Sequence, residues 1–361
     1  MPAPQVAPDL LVHQQEPYNA EPRPAALAGR PLTPVGVFYV RNHGPVPDIE
    51  PGEWRLRVDG LVDRVLELDL ATLRQTATSI TRSATLQCAG NRRADLLEVA
   101  DIPGEAPWGP GATSTATWTG VRLADVLGAA GVLPGAAHVV FTAPDHAADA
   151  DPPQTYGSSI PLDKATAPEV LLAWGMNGEP LPPAHGGPVR MVVPGYIGAR
   201  SVKWVHRVTV QTAPSDSYFQ AAAYRLVPAD ARPARGAGLP LGQVALNCAV
   251  LTPQGGATVP PGPTTVSGYA MAGCGRTVGR VDVSTDGGRT WCQAAFDTDE
   301  ATSFVWRLWS VEVDLPGGPA EVVARAWDSS GSTHPESAST VWNPKGYVNN
   351  SWPRVRFTVA G

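Results

Sequence analysis

Cysteine is scarce in this chain of 361 residues, and lysine is scarcer still. Cys88, Cys248, Cys274 and Cys292 are the four cysteines; they make no secreted disulfide framework at this length, so reduced thiols are expected. Cys88 has no second cysteine within five positions, which removes a CxxC half-site for zinc, and no CxxCH marks a haem attachment. Lysine occurs only at 164, 203 and 345, against 24 arginines. The net charge is −6 with no basic run and no cationic amphipathic stretch, which argues against nucleic acid or a membrane as partner. Residues 1–5 (MPAPQ) show no charged and then apolar leader, no twin arginine and no lipidation site. A cytoplasmic location is therefore expected, unless a leader has already been removed to leave a periplasmic protein.

At 43% hydrophobic the chain has the material for a core, and its length exceeds the usual reach of one, so two domains are the default. Residues 1–35 are rich in Pro and Ala without a period and suggest an extended surface arm. Alternation over 54–58 (WRLRV) predicts a strand, 70–74 a short helix start, 121–131 (VRLADVLGAAG) a helix stopped by glycine, and 138–141 and 189–193 apolar strands. Residues 228–240 (PADARPARGAGLP) are the best linker. Beyond them the pattern is purely β, with alternating segments at 243–251, 264–272, 277–284, 307–313 and 321–327 separated by glycine turns. The expected architecture is an α+β domain over residues 1–235 and an all-β, immunoglobulin-like sandwich over 236–361.

Chemistry concentrates at residues 88–93 (CAGNRR), where a lone cysteine precedes Arg92 and Arg93. A thiolate in such electropositive surroundings is a stabilised soft metal ligand or nucleophile. Arg41 and His43 stand two apart, so an extended 38–43 segment puts both on one face, able to reach an anion. Gly195 and Gly198 suit a loop whose backbone approaches a ligand closely.

The segment 86–93 (LQCAGNRR) resembles the signature of the sulfite oxidase family of molybdenum enzymes. Five further blocks agree in order: 38–45 (FYVRNHGP), 176–178 (MNG), 185–190 (HGGPVR), 194–204 (PGYIGARSVKW) and 342–352 (WNPKGYVNNSW). The resemblance implies a molybdopterin-binding domain followed by a sandwich used in homodimerisation, with a molybdenum–molybdopterin cofactor. Cys88 would be its protein ligand, since molybdenum takes a soft thiolate. Phe38, Tyr39, Val40, Arg41, Asn42, His43, Asp145, His185, Arg190, Ser201, Val202 and Lys203 would hold the pterin and its phosphate. It also implies a substrate pocket of Arg41, Arg93, Trp108, Tyr224 and Lys345 around sulfite or a similar small oxyanion.

Tyr224 stands where the related nitrate reductases carry asparagine, and so favours sulfite. Lys345 stands where the sulfite oxidases have arginine and the nitrate reductases methionine; it keeps the charge without the bidentate fork. With no haem expected, electrons would pass to oxygen or to a separate carrier such as a cytochrome c, as in the haem-free plant type. Two rivals stay open: a nitrate reductase-like or other oxyanion or S-oxide enzyme, and a non-catalytic cofactor-holding protein.

Overall fold

The computed structural model describes residues 8–361, so the leader reading of residues 1–5 lies outside the described residues. The first two thirds are built on two five-stranded sheets with short helices between them. One sheet runs in the order Glu179–Pro180, Leu171–Met176, Thr113–Arg122, Ile80–Gln87, with Arg190–Val192 also pairing onto Leu171–Met176. The other runs Leu66–Asp69, Arg55–Gly60, Arg207–Gln211, His138–Ala147, Gln154–Pro161, and its Arg55–Gly60 and Arg207–Gln211 strands are parallel. Leu56 and Val58 alternate inward from the second sheet into a core shared with Phe141, Ile160, Val208 and Val210.

Helices are shorter than the sequence pattern suggests. The segment 121–131 yields a helix only over Leu123–Ala130, because Val121 and Arg122 finish the preceding strand; Gly131 closes it at φ 73 by donating back to Leu127 and Gly128. The expected start near residue 70 is fixed by Asp69, whose carboxylate accepts from the Thr72 N–H at 2.7 Å ahead of Leu70–Thr76.

The N-terminal reading needs correction. Residues 8–35 are not an arm draped over the surface: Leu10–Gln14 and Asn19–Pro22 form an antiparallel hairpin whose second strand is wholly buried. The cause is polar. The Glu21 carboxylate accepts from the N–H groups of Gly109 and Gly111 at 2.7 and 3.0 Å and bonds His13 at 2.7 Å, which a period search cannot detect.

Past residue 246 the chain forms two facing sheets, one of four strands centred on Gly262–Met271 and Arg307–Leu315 and one of five centred on Gly318–Asp328 and Arg354–Val359. Val266 and Ala270 from one sheet meet Val281, Val283, Val322, Ala324 and Ala326 from the other in a separate apolar core. The two regions are nonetheless joined. Ala249, Tyr269, Met271, Trp306 and Tyr347 belong to the first region's core, and Arg92 crosses between them as a buried latch. Its Nη1 donates to Asn247 Oδ1, Cys248 O and Ser351 O at 3.1, 2.8 and 2.9 Å, while its own carbonyl accepts from Asn349.

Replacing Arg92 by alanine strands those buried oxygens, at about 1–3 kcal/mol each. We expect Arg92→Ala to lose at least about 3 kcal/mol and the sandwich to melt as a separate transition in calorimetry. One unaltered cooperative transition at the wild-type temperature would refute the latch.

Candidate active site

Cys88 stands at the end of strand Ile80–Gln87, where its N–H donates to Ala112 O at 2.8 Å and the chain turns sharply into the helix Arg93–Leu97. The turn brings the Gly90 N–H to 3.4 Å from the Cys88 sulfur. Arg92 takes a left-handed conformation, φ 61, so adjacent arginines leave the turn in different directions. This corrects the expectation that both arginines flank the thiol. Arg92 goes to the sandwich; the cations that favour the thiolate are Arg93 and Arg41, and burial outweighs them to push the thiol's pKa up.

On one side of Cys88 lies a cavity of about 640 Å³ lined by Phe38, Tyr39, Arg41, Asn42, His43, Asp145, Tyr156, His185, Arg190, Gly198, Ser201, Val202, Lys203 and Tyr224, among others. Arg190 is braced by carbonyls, donating to His185 O and Ser201 O at 2.8 and 2.9 Å. Lys203 donates to Asn42 Oδ1 and to Ala184 O. Burial pulls the Lys203 pKa well down, with the Arg190 charge adding to the effect. Asp145 is buried with its Oδ1 lacking any partner, and burial lifts its pKa to about 6 against the pull of Lys203.

On the other side is a second cavity of about 580 Å³, lined by Arg41, Cys88, Arg93, Glu105, Trp108, Tyr224 and Tyr347 with parts of the N-terminal hairpin. Cys88, Arg41 and Tyr224 are common to both cavities. His43 connects the last two. Arg41 Nη2 can only donate, so His43 Nδ1 accepts at 3.2 Å; the neutral ring then carries its proton on Nε2 and donates to the Tyr224 oxygen at 2.7 Å. Burial, then Arg41, Lys203 and Lys345, keep that ring neutral by depressing its pKa. The Tyr224 proton is left free for a ligand, and burial raises the phenol's pKa so that it stays a donor.

Most of the expected residues meet around Cys88, with three exceptions, Val40, Lys345 and Gly195. Val40 is buried but pairs with Ala20 and lines neither cavity. The Ser201 hydroxyl oxygen accepts from the Val193 N–H at 3.0 Å and keeps its proton free to donate, while its backbone N–H and carbonyl are taken by Gly198 and Arg190. Lys345 lines neither cavity and reaches Glu105 Oε1 at 2.6 Å. Gly195 does not face the cavity: a Cβ there would meet the Phe304 ring at 2.8 Å, so it allows the sandwich to approach, whereas Gly198 does line the cavity, under the Tyr39 hydroxyl. Sequence reasoning missed Tyr156, Glu105 and Tyr347. Of these only Tyr347 carried a signal, since it sits inside the 342–352 block.

Residues 43–219 match the oxidoreductase molybdopterin binding domain and residues 241–360 the Mo-co oxidoreductase dimerisation domain. Fold and site thus define a molybdopterin-binding oxidoreductase. The chain is 46% identical to sulfite oxidase of Gallus gallus over 96% of its own length and 77% of that protein. It is 36% identical to sulfite oxidase of Arabidopsis thaliana over 96% of this chain and 93% of that one. The chain spans 66% of the length of the mammalian mitochondrial relatives it matches. The solved sulfane dehydrogenase SoxCD from Paracoccus pantotrophus superposes with a TM-score of 0.80 at 27% identity, covering 93% of this chain and 83% of that one. The chain belongs to the sulfite oxidase family.

The cavity that holds Asp145, Arg190 and Lys203 fits a pterin cofactor. A buried, open acceptor at Asp145 beside carbonyl-braced cations suits a ligand that offers N–H donors at one end and a phosphate at the other. No helix among the described residues is long and apolar enough to cross a membrane.

Burial of these groups makes stability depend on pH. Burial pulls His185 and His334 down to about 3, and His43 is depressed as well. Their unfolded forms take up protons below about pH 6.5 while the folded forms do not, so stability is full above that value and is lost as pH falls toward 3. Asp145 opposes this, because its raised pKa lets the folded state bind a proton first. His185 and His334 against Asp145 leave a loss of about 1–1.5 kcal/mol per pH unit between roughly pH 6 and 4, and His43, His138 and His206, also depressed by burial, add to it. Urea midpoints of the cofactor-free protein at these pH values will test this, and a flat profile would contradict it.

Proposed function

We propose that this protein catalyses the molybdenum-dependent oxidation of sulfite to sulfate. The observation that carries this is a single thiol at the shared wall of two cavities, one suited to a pterin and one lined by Arg41, Arg93 and a free phenol proton. When bound, the molybdenum–molybdopterin supplies the two-electron oxygen-atom transfer that turns sulfite into sulfate, the electrons passing on to oxygen or an external carrier. Cys88 would be its protein ligand, and Tyr39, His185, Arg190, Lys203, Asp145 and the 198–202 backbone would hold the pterin and its phosphate.

The chain's own residues divide the remaining work. Arg41 and Arg93 neutralise the oxyanion, and Tyr224 donates to one of its oxygens. His43 is a positioning residue: it holds the phenol oxygen from behind and so aims its proton. Trp108, 1% exposed and edge-on to His13 at 4.7 Å, walls the pocket against water. Tyr347 stacks on Tyr224 at 5.5 Å and packs under the Arg93 guanidinium, which restricts both to one orientation. Lys345 stands behind Glu105, whose carboxylate holds its ammonium while no anion is bound.

We take residues 228–240, exposed but for the half-buried 231 and 237, as the join between domains 1–235 and 236–361, read the sandwich as immunoglobulin-like, and infer a homodimer formed through it. Sedimentation at micromolar concentration should give twice the chain mass; a strictly monomeric protein would sink that inference.

Cys88→Ser should retain the fold and bind pterin through the other contacts, yet lose the thiolate-to-metal absorption and nearly all sulfite turnover, because an alkoxide replaces a soft thiolate poorly. Wild-type activity in the Ser variant would remove Cys88 as ligand. Nitrate and a sulfoxide run beside sulfite separate the rival oxyanion and S-oxide readings, and a fully metallated protein inert toward all three would support a non-catalytic one.

A further inference from the structure

Glu105 is out of place in a pocket for an anion. Its two carboxylate oxygens bridge two different cations, Oε1 bonding Lys345 Nζ at 2.6 Å and Oε2 lying 3.2 Å from Arg93 Nη2. The other nitrogens of Arg93 are already engaged: Nη1 donates to Ala106 O at 2.8 Å and Nε to Lys345 O at 3.0 Å. Nη1 keeps a second N–H, but Nη2 is the nitrogen held by a group that can move, a carboxylate of the chain, so an oxyanion that takes the Arg93 fork must displace it. The Glu105 side chain is 14% exposed and Arg93 only 2%, so the pair sits where its charges are poorly screened.

We propose that Glu105 is a specificity-determining residue, an internal stand-in for the substrate that occupies Arg93 and Lys345 until a polyoxygen anion displaces it. A carboxylate and a sulfur oxyanion present the same edge, two oxygens on one atom carrying delocalised negative charge. An anion with two such oxygens can replace both contacts that Glu105 gives up. A halide can replace only one, and it leaves the second cation unpaired. Glu105 thus weakens binding of every anion but weakens that of monatomic ones most. It weakens substrate and product alike, since sulfite and sulfate offer the same edge, and so assists release of the product. The loop has room for the carboxylate to swing aside: the preceding Gly104 has φ +79 and nothing within 4 Å of the place a Cβ would take. The inference rests on the reading of this cavity as the oxyanion pocket.

The test is sulfate binding to the holoenzyme by calorimetry, with sulfite kinetics alongside. In Glu105→Gln and in Glu105→Ala we expect the sulfate Kd and the sulfite KM each to fall about tenfold, the worth of one charge-assisted hydrogen bond regained. Chloride inhibition should strengthen by more than that factor, while kcat does not rise. Adding Lys345→Met to Glu105→Gln should cancel most of the gain, because one of the two released cations is then gone. Sulfate affinity that is unchanged or weakened in both single variants overturns the proposal, and weakening would make Glu105 a brace for Arg93 and Lys345 instead. The functional reading is judged separately: a metallated wild-type protein that cannot oxidise sulfite defeats that reading, whether or not sulfate binding tightens in the variants.

Discussion

Burying positive charge without carboxylate partners is the constraint on which the rest of the structure depends. Among the described residues, Arg190, Arg200 and Lys203 make no ion pair, although Arg190 and Arg200 are 5% and 1% exposed. Removing an ion from water costs several kcal/mol, and here backbone carbonyls offset that cost. Arg190 ties residues 185 and 201, Arg200 ties Ser158 to Leu241, and Lys203 ties Asn42 to Ala184. Carbonyls can do this only if the backbone is held still, so the irregular stretch from residue 181 to 205 is as well ordered by hydrogen bonds as a sheet would be. The solvation they give is incomplete: burial lowers Arg190 and Arg200 to about 10. That residual discomfort is a field ready for an anionic ligand, because Arg190 and Arg200 have no ion-pair partner to give up when it arrives.

The substrate side follows a different rule. Arg93 and Lys345 do have an internal partner, and it is a carboxylate that shares its two oxygens between them. A cofactor that is to stay bound meets unpaired cations, whereas a substrate that must come and go meets cations already satisfied. The difference arises within a few residues of Cys88, from one turn. With Arg92 left-handed, one arginine of the adjacent pair fastens the second domain and the other serves the pocket.

Much of this was legible in the chain. Cys88, Arg41, His43 and Arg190 could be named because blocks of sequence carry them, Tyr224 only from its place in the family resemblance, and the sandwich strands because alternation persists wherever one face is wet and the other dry, as in Val322, Ala324 and Ala326. The unreadable parts are those in which single polar contacts decide the structure. Nothing periodic betrays the Asn19–Pro22 strand, which is buried because Glu21 satisfies two backbone N–H groups and Asn19 Oδ1 receives the Asn42 N–H at 2.7 Å. Neither could proximity in sequence predict that Arg92 would turn from its neighbour's cavity, since the choice lies in one backbone dihedral. Glu105 stood in a stretch, 101–107, with no pattern at all.

The scarcity of lysine gains its meaning here. Of the three, Lys164 forms a largely buried pair with Glu169, while Lys203 and Lys345 sit at the two ends of the site. Lys345 reaches it from the second domain on a loop that passes directly over Arg93. A Cβ at Gly346 would fall 2.6 Å from the Arg93 side chain, and the glycine's φ of +55 completes the passage. The Val348 N–H then donates to Ala89 O at 2.7 Å, one residue past the thiol, and Tyr347 stacks on Tyr224 between these two contacts. A point charge on a flexible stem suits such a position better than a planar fork, because its single ammonium can follow Glu105 or an anion that takes the carboxylate's place. The pocket is therefore completed by the domain that also matches a dimerisation module, so any movement of that domain relative to the first would disturb Arg93, Glu105 and Tyr224 together.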